Sequence, residues 1–206
     1  KIFIYITSKV PIGIFFDYII SSFRIFFFHF FIILLSFFLK TQYDIDQLKW
    51  EYENLTDLLE GYYSAGDHSQ QLCLQSIKGD SDPYKNGCGS MKRFPDRQED
   101  DYIVINNKIK GTIFENIIST WVRSRFMTMG TNTTYSVHSD KAPRFHLAID
   151  THEHAYFFWP ESEEIFHIPA DGHVYWIDTR IPHTFINCGQ PRTHLVGVES
   201  SLYEDI

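Results

Sequence analysis

Short apolar runs separated by turn signals dominate the chain from residue 125 onward. In residues 144–149 (RFHLAI), the large apolar side chains of Phe145, Leu147 and Ile149 alternate with Arg144, His146 and Ala148, the period-two pattern of a half-buried strand. An Asp171-Gly172 turn signal precedes one of the further predicted strands, which cover residues 155–159, 173–178, 183–187 and 193–198. Several short strands at close spacing indicate a sandwich or a barrel. The sequence therefore predicts a mainly β fold, a double-sheet jelly roll of the cupin type.

The part before these strands has a different pattern. Residues 41–59 place apolar side chains at helical spacing and predict a helix that stops near Gly61. Residues 61–101 are rich in Gly, Ser, Asp, Asn and Pro, and predict loops with one or two strands. Residues 111–122 predict a second helix. We therefore divide the domain into a helical and loop part, 41–124, and a β core, 125–206, flanked by N-terminal helices.

Residues 1–40 differ in composition from the rest. Residues 25–39 (IFFFHFFIILLSFFL) are almost wholly apolar, but a membrane-spanning helix needs about 20 such residues. Three interpretations stay open: a membrane anchor over residues 12–39, a conceptual translation extended upstream of the true start, and a buried core helix. The second is kept because Phe, Ile, Lys and Tyr are the residues that AT-rich non-coding DNA encodes. No small-residue cleavage site follows, so a secretory signal is poorly supported.

Charge and cysteine content exclude several classes of protein. The net charge is −8, so the basic surface of a nucleic-acid-binding protein is absent. Three cysteines without C-x-x-C spacing argue against a disulfide framework and a structural zinc site. A reducing compartment, the cytoplasm, is therefore expected. Attachment to a membrane through the N-terminal segment is the alternative.

A metal site is predicted from three residues. His138 and Asp140 are two apart, so both project from one face if the segment is extended. His183 follows on a later predicted strand and can complete the set. Two histidines and one carboxylate are the ligands that hold Fe(II) on one face and leave other positions open. H-x-D alone is a weak signal in a chain with ten histidines, and the ordered set is more specific.

Buried arginines add a second prediction. Arg192 and His194 share one face of the last strand, as Arg144 and His146 do on an earlier strand. An unpaired buried charge is very costly, so inward-facing arginines need anionic partners. A dicarboxylate co-substrate, 2-oxoglutarate, would satisfy one or both. The alternative is a structural ion pair with Asp150, Asp178 or Glu199.

Three residues are assigned positions near the site. Asp178 lies five residues before His183 and is predicted to orient that ligand by a hydrogen bond. Trp176 is interpreted as a core residue or as part of the substrate pocket, and His194 as a neighbour of the co-substrate.

Three segments carry a resemblance to a known family: YSVHSDKAPRFHLAI, DGHVYWIDTRIPHTFIN and PRTHLV. Together they resemble the aspartyl/asparaginyl/proline β-hydroxylase family of 2-oxoglutarate-dependent oxygenases over residues 125–198. The resemblance implies a double-stranded β-helix and Fe(II) held by His138, Asp140 and His183. It also implies 2-oxoglutarate bound by Arg192, with Arg144 and His146 nearby.

The function implied is hydroxylation of an Asp, Asn or Pro-type side chain, in a peptide or a free amino acid. O2 and 2-oxoglutarate are consumed, succinate and CO2 are released, and ascorbate is the expected reductant. Animal aspartyl β-hydroxylases have Gly where this chain has Asp140, whereas the free proline hydroxylases of the family keep the carboxylate. The competing interpretation is a non-catalytic, metal-binding jelly roll that acts as a sensor or an interaction module.

Overall fold

The computed structural model describes residues 41–56, 63–64, 69–82 and 86–200. Within these ranges lie two α-helices, α1 (Ile45–Thr56) and α2 (Ile113–Ile117). The strands are β1 (Tyr63–Ser64), β2 (Ser69–Cys73), β3 (Gln75–Ser76), β4 (Val104–Ile105), β5 (Trp121–Met129), β6 (Thr133–Thr134), β7 (Arg144–Asp150), β8 (Ala155–Trp159), β9 (Glu164–Phe166), β10 (Tyr175–Ile177), β11 (Thr184–Asn187) and β12 (Arg192–Glu199).

Two antiparallel sheets form the domain. The larger has the strand order β1-β2-β5-β12-β7-β10 and the smaller β6-β11-β8-β9; a separate pair joins β3 to β4. The eight strands from β5 to β12 are shared between the two large sheets, and, except for β8 and β9, strands that pair are not consecutive in the chain. This order is that of a double-stranded β-helix, so the predicted jelly roll is confirmed.

The period of two along each strand separates two apolar cores. On β12, Leu195 faces the cluster that also contains Leu147 of β7 and Phe126 of β5. The opposite face looks between the sheets, where the second cluster contains Met129, Ala148, Ala155, Phe157, Ile168, Tyr175, Ile177 and Phe185. Arg192 and His194 alternate with Leu195 and therefore share this inner face. The pattern thus directs polar side chains into the space between the sheets.

Helix α1 covers the outer face of the larger sheet. It begins at Ile45 because the Asp44 carboxylate accepts hydrogen bonds from the backbone N–H groups of Asp46 (2.9 Å) and Gln47 (3.2 Å). Leu48 and Leu55 are buried in the outer cluster. Burying a side chain of this kind stabilises the fold by about 1.5–3 kcal/mol.

Helix α2 is shorter than the sequence predicted. It ends at Ile117, and the remainder of the predicted helix turns and becomes the start of β5 at Trp121. The apolar side chains Ile118 and Trp121 are still buried, but Trp121 is opposite Glu199 of β12 in the sheet. Pairing with a distant strand has overridden the local helical pattern. β5 also pairs with β2, so the predicted parts 41–124 and 125–206 contribute to one sheet.

Cys73 and Cys88 form a disulfide, so the prediction of no disulfide was wrong. The end of β2 and the turn after Asn86 bring the two Cα atoms to 6.6 Å. The two cysteines are 15 residues apart, and no sequence motif with that spacing predicts a disulfide. The expectation of a reducing compartment, which rested on the cysteine pattern, loses that support. Cys188 is free and exposed.

The N-terminal segment, residues 1–40, lies outside the described residues, so all three interpretations of it stay predictions. Among the helices of the described ranges, none combines the length and the apolar composition that crossing a bilayer requires.

We predict that Gly172→Ala strongly destabilises the domain. The φ of Gly172 is 80°, and an added Cβ would overlap the carbonyl oxygen of Tyr43. Left-handed backbone costs about 1–2 kcal/mol for other residues, and the overlap adds about 1–3 kcal/mol. Gly111→Ala is the matched control, because Gly111 has the same φ of 80° and open space around its Cα. Urea denaturation measures both free energies of unfolding; equal losses would contradict the role given to Tyr43.

Candidate metal centre and anion pocket

Reciprocal backbone hydrogen bonds bring His138 and His183 together. The N–H of each donates to the carbonyl of the other at 2.9 Å, which makes an isolated antiparallel bridge between the segment after β6 and the start of β11. Residues opposed in such a bridge direct their side chains to the same face. The two imidazole centroids are 4.6 Å apart as a result.

Both rings are oriented by their own chain. Nδ1 of His138 lies 2.8 Å from the carbonyl of Ser136, and Nδ1 of His183 lies 2.9 Å from that of Ile181. A carbonyl only accepts, so each Nδ1 carries the proton and each Nε2 keeps a free lone pair. This is the arrangement that supports a metal-binding histidine.

Asp140 completes the cluster. Its backbone N–H donates to the Thr179 carbonyl at 2.8 Å, which fixes the segment beside the chain leading to His183. One ligand atom from each of His138, Asp140 and His183 lies within 4.8 Å of the others. The side chains of His138, Asp140 and His183 therefore converge as predicted. Backbone hydrogen bonds to a distant segment bring them together, and His138 and Asp140 do not belong to a regular strand.

The donors of this cluster fit a divalent first-row metal. Two imidazole nitrogens and a carboxylate form the set that suits Fe(II) and leaves positions open. Burial lowers the pKa of His183, which favours the neutral imidazole that a metal needs. His138 is exposed and His183 is buried, so one side of the cluster faces solvent and the other faces the space between the sheets.

Arg192 lies between the sheets without a carboxylate partner in the described part of the chain. Its side chain is buried, and Nε and Nη1 have no hydrogen-bond partner. Nη2 reaches only the Met129 sulfur at 3.9 Å, and Cζ lies 4.0 Å from the Phe185 ring centroid. Burial lowers the pKa of Arg192 to about 10, so the side chain stays charged at neutral pH. A buried, uncompensated guanidinium points to an anionic ligand.

Two buried histidines lie beside this arginine. His194 and His146 approach each other through their Nδ1 atoms at 3.4 Å, and Nε2 of His194 has no hydrogen-bond partner. Burial, and then the charge of Arg192, lower the pKa of both rings well below the usual value. Both are therefore neutral at pH 7 and available as hydrogen-bonding groups.

Arg144 already has carboxylate partners. Its guanidinium donates to both oxygens of Glu99, at 3.0 and 2.8 Å, and lies 3.2 Å from Asp140. The sequence had suggested the co-substrate, or else Asp150, Asp178 or Glu199, as its partner. Glu99 lies on the 3-10 turn Glu99–Asp101, far away in sequence. The charge of Arg144 is thus compensated without a ligand.

Asp178 does not bond His183 as predicted, and Trp176 takes the first of its two predicted positions, in the core and not in the pocket. The Asp178 carboxylate accepts hydrogen bonds from the Arg180 guanidinium at 2.8 and 2.9 Å, while Nδ1 of His183 uses the Ile181 carbonyl. Trp176 packs on the outer cluster and donates to Glu199 at 3.0 Å. Its neighbours in β10 take the inner face, so the period of two turns Trp176 away from the pocket.

Sequence reasoning missed the arginines of β5. Arg123 and Arg125 are both buried, and the Arg123 guanidinium contacts Glu99 and the carbonyls of Gly87 and Gly89. The R-S-R triplet inside the apolar run 121–129 was the available signal, since two arginines in a buried strand need partners. No pattern in the sequence indicated that Glu99 would be the partner of these arginines.

Comparisons with known proteins give similarity of fold only. No family model matches the chain, and no curated protein matches it. A prolyl-4-hydroxylase from Pseudomonas putida is similar at 13% identity and a TM-score of 0.43, over 76% of this chain and 86% of that one. An oxidoreductase of the 2OG-Fe(II) oxygenase family from Burkholderia pseudomallei is similar at 14% identity and 0.41, over 72% and 76%.

A DMSP lyase from Ruegeria pomeroyi is similar at 19% identity and a TM-score of 0.33, over 41% of each chain. The similarity thus spans less than half of the lyase. All of these scores are below 0.5, and the assignment of the fold rests on the strand order of the chain itself.

We predict that the two buried histidines make the domain sensitive to acid. Their folded pKa values lie below the unfolded value of about 6.5. Their stabilisation is therefore complete above that pH and is lost as the pH falls, because only the unfolded chain takes up the protons. At pH 5.5 the loss is about 1 kcal/mol for each histidine.

Urea denaturation between pH 7.5 and 5.5 tests this. His194→Gln should lose part of the pH dependence, the remainder coming from His146 and from His183, whose pKa burial also lowers. His154→Gln, at an exposed position, should keep all of it. Identical pH profiles for the two variants would contradict the assignment to buried neutral histidines.

Proposed function

We propose that this chain is an Fe(II)- and 2-oxoglutarate-dependent dioxygenase that hydroxylates an amino-acid side chain, in a peptide or a free amino acid, with release of succinate and CO2. One observation carries the proposal. The interior beside the His138, Asp140 and His183 cluster also holds Arg192, a buried cation without a carboxylate partner in the described part of the chain. A metal cluster and an anion receptor in one barrel fit a co-substrate that chelates metal at one end and has a carboxylate at the other.

Each group has a definite role in this proposal. His138, Asp140 and His183 would hold the metal through two Nε2 atoms and a carboxylate oxygen. Bound Fe(II) would supply the O2 activation and the oxidative decarboxylation of 2-oxoglutarate that hydroxylation requires. The Arg192 guanidinium would bind the far carboxylate, and neutral His194 would add a hydrogen bond from Nε2.

The walls of the pocket also contribute. Phe185 lies under the Arg192 guanidinium, and Phe157 packs edge-on against both Phe185 and His146. These rings exclude water from the charged group and so strengthen the binding of an anion. The exposed side of His138 leaves the metal cluster accessible to a substrate from solvent.

The metal ligands are tested by binding. Asp140→Asn and His183→Ala should each weaken Mn(II) affinity roughly 100-fold or more, because loss of even a supporting hydrogen bond weakens a metal site about 10–100-fold. His154→Ala is the control, since that histidine is exposed. Calorimetric titration gives the dissociation constants. Unchanged affinity in both site variants would remove the cluster as a metal centre.

The co-substrate is tested by turnover and by binding. The full chain with Fe(II), ascorbate and 2-oxoglutarate should form succinate, and Arg192→Met should raise the Kd of 2-oxoglutarate about 100-fold. Two lost charge-assisted hydrogen bonds of about 1.5–3 kcal/mol each account for that factor. Arg180→Met is the matched control, because Arg180 is an exposed arginine paired with Asp178.

The results of these binding and turnover experiments distinguish a dioxygenase from a non-catalytic, metal-binding jelly roll. If 2-oxoglutarate binds tightly and its binding depends on Arg192, but little succinate forms, then turnover requires the substrate to be present. Metal binding without any 2-oxoglutarate affinity would reject the dioxygenase and leave the metal-binding jelly roll as a sensor or an interaction module.

A further inference from the structure

Three triplets of the chain match or approach the sequence that accepts an N-linked glycan, which is Asn-x-Ser or Asn-x-Thr without proline in the middle. They are Asn54-Leu55-Thr56, Asn132-Thr133-Thr134 and, with cysteine in the third place, Asn86-Gly87-Cys88. Because a glycan is bulky and hydrophilic, an asparagine can carry one only where its side chain reaches solvent and is not needed by the fold. The three asparagines differ in both respects.

Asn86 meets neither condition. Its side chain is buried, and Nδ2 donates a hydrogen bond to the Asp80 carbonyl at 2.6 Å. The third residue of this triplet, Cys88, forms the disulfide with Cys73. A glycan on Asn86 would have to displace the loop that the disulfide closes, so the structure excludes this triplet.

Asn54 is exposed but belongs to a helix. It lies in the last turn of α1, where Nδ2 donates to the Trp50 carbonyl at 2.7 Å, and the next residue, Leu55, is buried in the outer cluster. Nδ2 is the atom to which a glycan is attached. Since the helix engages this atom, Asn54 is a poor acceptor, and it provides a comparison within the same chain.

Asn132 combines exposure with a free amide. It lies in the turn that joins β5 to β6, with a φ of 51°, and its side chain forms no hydrogen bond within the described part of the chain. Asparagine is among the few residues that adopt this left-handed conformation readily. The third residue of the triplet, Thr134, is also exposed, and its strand β6 is an edge strand of the smaller sheet. Both residues that define the acceptor triplet therefore reach solvent.

The turn keeps its shape without the Asn132 side chain. The buried amide of Asn187 donates to the Gly130 carbonyl at 2.8 Å and so fixes the turn from the interior. Thr133 is opposite Asn187 in the sheet. His183 precedes Asn187 by four residues, which is about 13 Å along an extended chain. A glycan on Asn132 therefore disturbs neither the strands nor the metal cluster.

An independent observation concerns the compartment in which the chain folds. Cys73 and Cys88 are both buried and form a disulfide inside the domain. Disulfides form and persist in the oxidising compartments of the secretory route and are rare where thiols are kept reduced. Proteins receive Asn-linked glycans on that same route. The disulfide and the accessible triplet thus indicate one environment.

We propose that Asn132 is an N-glycosylation site and that the chain folds in an oxidising compartment where glycans are transferred. The donor is an oligosaccharide diphosphate. Nδ2 of Asn132 forms a bond to the anomeric carbon of the donor, and the bond from that carbon to the diphosphate oxygen breaks. The diphosphate leaves with the electron pair, and Nδ2 gives up one proton to a base of the transferase. This goes beyond the proposed function and does not depend on it.

The first test uses the protein purified from its own cells. Trypsin releases residues 126–141 as one peptide, in which Asn132 is the single asparagine. Peptide-N-glycosidase F converts a glycosylated asparagine to aspartate, so in heavy-oxygen water this peptide should take up the label, as measured by mass spectrometry. Peptide 86–92, which contains Asn86, should stay unlabelled. Recovery of peptide 126–141 with unmodified Asn132 alone would overturn the proposal.

The second test compares variants of the full chain, secreted from cultured insect cells behind a cleavable leader. Glycosidase treatment should increase the electrophoretic mobility of the wild type by the step that one glycan causes. Asn132→Gln should lose this shift, and Asn54→Gln, the matched exposed control, should keep all of it. Thr134→Ser retains the triplet and should also keep the shift. A wild type without the shift, or a full shift in Asn132→Gln, would overturn the assignment of Asn132.

Discussion

The reciprocal hydrogen bonds between the backbones of His138 and His183 are the constraint on which the site depends. They join the end of the segment after β6 to the start of β11 and place two imidazoles on one side of the bridge. The side-chain contacts of Nδ1 with local carbonyls then fix the remaining rotation. The spacing of the two imidazoles is thus set by a backbone bridge next to the smaller sheet, and a change in the pairing there would separate these side chains.

The interior between the sheets has an unusual electrostatic character. Arginine side chains enter it from β5, β7 and β12, while its neutral walls are aliphatic and aromatic. Glu99, contributed by a 3-10 turn outside the jelly roll, neutralises part of this charge. The charges of Arg192 and Arg125 have no carboxylate within ion-pair distance in the described part of the chain.

Sequence patterns predicted the features of the fold that depend on residues close together in the chain. The alternation in residues 144–149 and the run 155–159 predicted strands close to the observed ones, because burial on alternate sides is encoded locally. The ordered set of His138, Asp140 and His183 predicted that these residues lie together, and backbone hydrogen bonds between distant segments bring their ligand atoms within 4.8 Å. The partners of Arg144 and Trp176 were not foreseeable, since Glu99 and Glu199 reach them through the folded chain. The disulfide and the end of α2 likewise depend on contacts between distant segments.

If an anion binds the Arg192 guanidinium, as proposed, the stability of the folded protein would depend on that ligand. A ligand that binds only the folded state stabilises it by an amount that grows with concentration, about 2.7 kcal/mol at 100 times its Kd. The domain would then resist unfolding and proteolysis best when the anion is abundant, and the cellular amount of the protein would follow the supply of that anion.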